Sequence, residues 1–131
     1  MIKFTDPELL KNDVLSFSKW ITVEDFYQQT PEAGGLRLVE KWKQESKIFS
    51  LVNENIELIP EYVLDRDGNP KPIVQEILHL FEGKKSPLVT AIWFMSINSW
   101  LRGKTPISCL EISPEAVLEA ARIAAFPIDH G

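Results

Sequence analysis

At 131 residues the chain is sized for one domain or for two small lobes sharing a core. A formal charge of −5 argues against broad, nonspecific affinity for DNA or RNA, and no uncharged apolar run approaches the roughly 18 residues needed to cross a bilayer. One cysteine, Cys109, excludes an intrachain disulfide, and the acid-containing start MIKFTDPELLKNDV lacks the order of a secretory signal, so the cytoplasm is the expected compartment.

In chain order, Asp6 or Asn12 could cap a short early helix, although the pattern through Phe17 is weak. Thr22 followed by Asp25 has the shape of a capping box, a hydroxyl at a helix mouth with a carboxylate three positions on. Val23, Phe26 and Tyr27 then share a face at helical spacing. Pro31 and the pair Gly34-Gly35 interrupt that helix, and a second runs from about Leu36 to Gln44 with Leu38, Val39 and Trp42 as its apolar side. Two short helices around a glycine-containing break are the outline of a helix-turn-helix. Residues 48–52 and 58–63 read as short strands, joined through residues 53–55 into a small hairpin placed like a wing, and residues 65–70 read as a tight turn.

Helical spacing returns over 73–81, where Ile73, Ile77, Leu80 and Phe81 share a stripe that Gly83 can stop. Ser86-Pro87 and Ser113-Pro114 each place a capping hydroxyl before a proline at the first helical position. The last helix carries Val117, Leu118 and alanines at 120, 121, 124 and 125, small enough for close helix contact, and PIDHG forms a tail. The layout is therefore mainly α: a helix-turn-helix-like lobe with a small β-hairpin over residues 14–68, joined to a compact C-terminal helical lobe over 70–126.

Catalytic patterns are sparse. His79 reads as an ordinary helix residue, and Cys109, close to Ile107 and Leu110, as a small buried hydrophobe. Asp65, Asp67 and Asn69 suggest a calcium loop until position six, where Pro70 replaces the required glycine. Gly83-Lys84-Lys85-Ser86 is a fragment of a phosphate-loop pattern without its preceding strand. A non-enzymatic protein with no cofactor and no metal is expected.

Binding surfaces are better represented. The second helix and its surroundings carry Arg37, Lys41, Lys43 and Lys47 against Glu40 and Glu45, making those four bases the candidates for phosphate contact. Residues 1–70 nevertheless hold 8 basic and 13 acidic side chains, which opposes DNA binding by that half. Trp93, Phe94 and Trp100 lie within eight positions, and Trp93 and Trp100 can share a face if the helix persists between them. The turn that follows, Leu101, Arg102, Gly103, Lys104, Thr105 and Pro106, adds two cations on a constrained path. Tryptophan and arginine are favoured interface anchors. Trp93, Trp100, Leu101, Arg102, Gly103, Lys104 and Pro106 are therefore the candidate partner-binding residues.

The stretch IWFMSINSWLRGKTPISCLEISPEAVLEAAR resembles the C-terminal module of antitoxins of the MbcA/ParS type, which carry an Xre-type helix-turn-helix. Trp93, Asn98, Leu101, Gly103, Pro106, Val117, Ala120 and Ala121 carry the likeness. Upstream, Phe49, Pro60, Gly68, Pro70 and Pro72 match the family's hairpin and following helix, so the resemblance covers about residues 20–125. It implies a bacterial toxin–antitoxin system. The C-terminal lobe would bind a cognate RES-domain toxin, an NAD-consuming enzyme, and block its substrate access stoichiometrically. The resemblance also implies homodimerisation through the N-terminal part and binding to the operator DNA of the protein's own operon. A transcriptional regulator, or an interaction domain with no toxin partner, are the alternative readings; neither involves a membrane.

Overall fold

The computed structural model describes residues 7–29 and 35–127. Helix α1 spans Pro7–Phe17 and strand β1 spans Trp20–Thr22, leading directly into α2, Val23–Gln29. The capping hydroxyl expected at Thr22 is in place, accepting the Asp25 backbone N–H at 2.9 Å. Helix α3 covers Gly35–Gln44; the Pro31-to-Gly34 part of the break before it lies outside the described residues. Its end is a Schellman-type closure, in which Ser46 at φ 55° lets the Lys47 N–H reach the Trp42 carbonyl at 2.8 Å.

Strands β2, Leu51–Asn53, and β3, Ile56–Pro60, form the expected hairpin, with Glu54 and Asn55 both at positive φ as a two-residue type I′ turn requires. The first strand begins later than the apolar run suggests, because Ile48 and Phe49 are buried in the core ahead of it. The second ends at Pro60, and Glu61–Val63 continue as a 3-10 turn. The sheet has three antiparallel strands in the order β1-β3-β2, with Ile21 opposite Ile59 and Leu51 opposite Leu58. Its edge strand β1 has no counterpart in the sequence reading.

Helices α4, Pro72–Phe81, α5, Pro87–Met95, α6, Pro106–Cys109, and α7, Pro114–Ala125, all begin on a proline. That residue surrenders no hydrogen bond at a first helical position and arrives with φ already set. Ser86 caps α5 through the Val89 N–H at 3.2 Å. Ser113 makes no such bond before α7, its ψ of 61° differing from the 165° with which Ser86 meets its helix. Gly83, at φ 72°, ends α4 as expected.

One cluster of buried side chains draws on both halves of the chain, from Val14, Phe26 and Val39 to Ile77, Phe94 and Val117. Helix α4 packs along α7, where Ala120, Ala121 and Ala125 allow close approach, and α1 packs on α5. Phe94 stacks on Phe49 at 6.1 Å between ring centroids, tilts against Tyr62 at 4.9 Å and meets Trp93 edge-on at 5.1 Å. The architecture is thus mainly α-helical with a small three-stranded antiparallel sheet. No helix among the described residues is long and apolar enough to cross a membrane.

Two expectations follow from this packing. Phe94→Ala empties a fully buried ring site and should cost about 4 kcal/mol in a urea titration followed by circular dichroism. The second concerns Glu57, which accepts from Lys43 and Ser50. Burial pushes its carboxyl upward, but those hydrogen bonds and the Lys43 charge outweigh burial and hold it below the ordinary value of 4.5. A depressed folded value contributes stability above the unfolded pKa and loses it as pH falls through the folded one. Glu57→Gln should therefore cost about 1 kcal/mol at neutral pH, with the gap to the parent closing below about pH 4 in thermal melts.

Candidate functional site

Helix α5 stops at Met95, and the Ser96 hydroxyl turns back to the Ile92 carbonyl. Trp93 and Trp100 therefore do not lie on one helix, and they separate into different roles. Trp93 is half-buried, edge-on to Phe81 at 5.0 Å and to Phe94. Trp100 stands 64% exposed on the next element, the 3-10 turn Ser99–Leu101.

Asn98 organises that turn. Its side-chain oxygen accepts the Trp100 N–H at 2.8 Å, its N–H donates to the Lys104 carbonyl, and its own carbonyl accepts from Leu101 and Gly103. The loop from 98 to 104 is thus closed on itself. Leu101 and Pro106 are buried and hold the loop to the core, while Arg102, Gly103 and Lys104 are exposed. Arg102 adopts the left-handed conformation, φ 58° and ψ 38°, followed by Gly103 at φ 81°. Thr105 then caps α6 by accepting the Ser108 N–H at 3.2 Å.

Beside the turn lies a shallow depression of about 260 Å³, lined by Ile97, Asn98, Ser99 and Trp100 on one wall and Ala120, Ile123 and Ala124 of α7 on the other. Ile97 is 77% exposed and was missed in the sequence, where it reads as one more apolar residue at the end of a helix. Phe126, also exposed, follows α7, with the Lys84 ammonium 4.5 Å from its ring centroid. The seven candidate partner-binding residues therefore divide. Trp100, Arg102, Gly103 and Lys104 are exposed, Leu101 and Pro106 are buried, and Trp93 is half-buried against Phe81 and Phe94.

The four bases around α3 also divide. Arg37 and Lys41 are exposed, and no ion pair engages them among the described residues. Lys43 bonds to Glu57 and Glu40; burial alone would lower its pKa, but those carboxylates raise it. Lys47 lies 3.4 Å from Glu45. Trp42 is buried against Phe26 and fixes the inner face of the helix.

The other groups considered for chemistry are engaged structurally. His79, on α4, bonds through Nε2 to the Glu45 backbone oxygen at 3.1 Å, on the wall of a cleft of about 560 Å³ that includes Glu76 and Arg122. Cys109 is buried, its sulfur 3.8 Å from the Ser108 hydroxyl. Asp65 accepts the N–H groups of Asp67 and Asn69, so its carboxylate closes the polar turn. Among the described residues no three His, Cys, Asp or Glu side chains converge as a metal site. No protein-family model, no curated protein and no solved structure matches the chain.

Proposed function

We propose that this protein is an antitoxin-like inhibitor that neutralises a cognate RES-type, NAD-consuming toxin by occluding its substrate entrance. The observation that carries the reading is Trp100, 64% exposed on a loop that Asn98 closes with backbone bonds. A large apolar side chain held outward on a preordered loop loses little freedom on docking, which favours affinity. The positions that carry the MbcA/ParS likeness support it as well. Asn98 closes the loop, Gly103 turns it, and Leu101 and Pro106 anchor it.

The proposed mechanism is steric. The Trp100 turn and the adjoining side of α7 enter the toxin's mouth, and hydrophobic burial supplies adhesion. At about 25 cal/mol per Å², covering the exposed part of one indole contributes about 3 kcal/mol before ordering costs. Arg102 and Lys104 set orientation. Binding is stoichiometric, and this chain does no chemistry itself.

A second reading, recognition of operator DNA, is favoured by Arg37 and Lys41, which stand exposed four residues apart on α3. Engagement of Lys43 and Lys47 with carboxylates leaves that face only weakly cationic. It would make the protein a dimeric regulator of its own operon in addition to an inhibitor.

Co-expression with a RES-type toxin encoded beside this chain should give a co-purifying complex in which NAD consumption is suppressed. Trp100→Ala should weaken the complex by about thirtyfold, restore NAD consumption and leave the far-ultraviolet spectrum unchanged. A toxin that stays fully active with saturating parent protein would sink the assignment. For the second reading, binding to a short operator duplex should weaken steeply with salt and vanish in the double variant Arg37→Glu, Lys41→Glu. Binding that survives that double reversal rules out α3 as the reader.

A further inference from the structure

Between Glu82 and Glu111 the chain carries four bases, Lys84, Lys85, Arg102 and Lys104, and no acid. The rest holds all 19 acids against 10 bases, so charge is sharply divided within a molecule that is acidic overall. Two of these cations, Arg102 and Lys104, sit exposed in the loop that carries Trp100, and a third, Lys84, sits over the exposed ring of Phe126 after α7.

Arg102 is costly where it stands. Left-handed backbone is cheap for glycine and tolerable for asparagine, whereas a longer L side chain is strained there. The neighbouring Gly103 shows that the loop uses glycine freely. No ion pair joins Arg102 or Lys104 to any carboxylate among the described residues. The fold thus holds an exposed arginine in left-handed backbone, as it does Ser46 and Glu54, and among the described residues no carboxylate pairs with its guanidinium.

We infer that the partner of the Trp100 turn is a protein presenting an apolar socket with an acidic rim, in which one carboxylate is gripped by Arg102. This rests on the docking surface proposed above and adds the chemistry of the other side. A planar guanidinium matches a carboxylate with two parallel hydrogen bonds, and the neighbouring indole keeps water from the pair. A nucleic-acid partner fits less well, because Ile97 and Trp100 would set hydrocarbon against a phosphate backbone. The remainder of the chain is net acidic, which disfavours an acidic partner over much of the other surface and so helps to orient the encounter.

The test uses the full chain and the RES-type toxin, comparing the parent with Arg102→Gly, Arg102→Lys and Arg102→Glu by biosensor kinetics at low and high salt. The parent's association rate should fall about tenfold or more as salt rises, and Arg102→Gly should flatten that dependence. Arg102→Gly should also weaken Kd about tenfold while raising Tm by about 3 °C, since it relieves the strained backbone. Arg102→Lys should fall between parent and glycine in affinity, and Arg102→Glu should bind about tenfold more weakly than the glycine variant. A salt-independent association rate, or glycine and glutamate variants that bind like the parent, overturns the inference while leaving the occluding plug standing. A parent that does not capture the toxin removes both. Binding of the parent to a DNA duplex or to phosphatidylserine vesicles, lost in Arg102→Glu while toxin binding is unchanged, assigns the arginine to another surface and also overturns it.

Discussion

Phe94 touches Phe49, Tyr62 and Trp93, and through them α5 is bound to the segment before the hairpin and to α4. Trp20 extends the chain of rings from β1 to Phe49, at 6.2 Å. Aromatic pairs of this kind combine a large buried area with a preferred geometry, so they fix orientation as well as proximity. The rest of the molecule hangs on this arrangement. It joins the N-terminal helices and sheet to the C-terminal helices in one core, and it sets the direction in which α5 delivers the chain to the exposed loop.

Much of the fold was legible because local chemistry and tertiary packing agree. Thr22, Ser86, Gly83 and the helix-starting prolines mark boundaries through one hydrogen bond or one backbone angle, and such signals need no distant partner. Strand β1 escaped for the opposite reason. Three residues are too few to show alternation, and Trp20–Thr22 is a strand only because β3 lies beside it. Helix α1 gave a weak signal although Leu10 and Val14 are buried one turn apart, since its acids and lysine dilute the stripe. Ser46 closes α3 in a conformation usually given to glycine, and nothing in its residue type announces that.

Around the Trp100 loop, sequence alone did not separate the exposed candidates from the packed ones. A tryptophan in sequence has the same composition whether it packs or protrudes. The distinction arises because α5 ends at Met95, so Trp93 turns toward Phe81 while Trp100 falls on the loop beyond. Leu101 and Pro106 face inward to hold that loop, and Ile97, two residues past the helix, supplies apolar area that periodicity assigns to no face. Around α3 the same limit appears in charges: net +2 on paper becomes two paired lysines and two exposed bases once Glu57 arrives from the neighbouring strand.

The self-closed loop also bears on how the molecule meets proteases. Arg102 and Lys104 are exposed, and trypsin cleaves after both residue types. Cleavage requires several residues to be drawn out straight in the enzyme's cleft, and here that means breaking the bonds Asn98 makes to its neighbours and pulling Leu101 from the interior. Nicking is then governed by how rarely the loop opens, with accessibility of the basic side chains a poor guide to its rate.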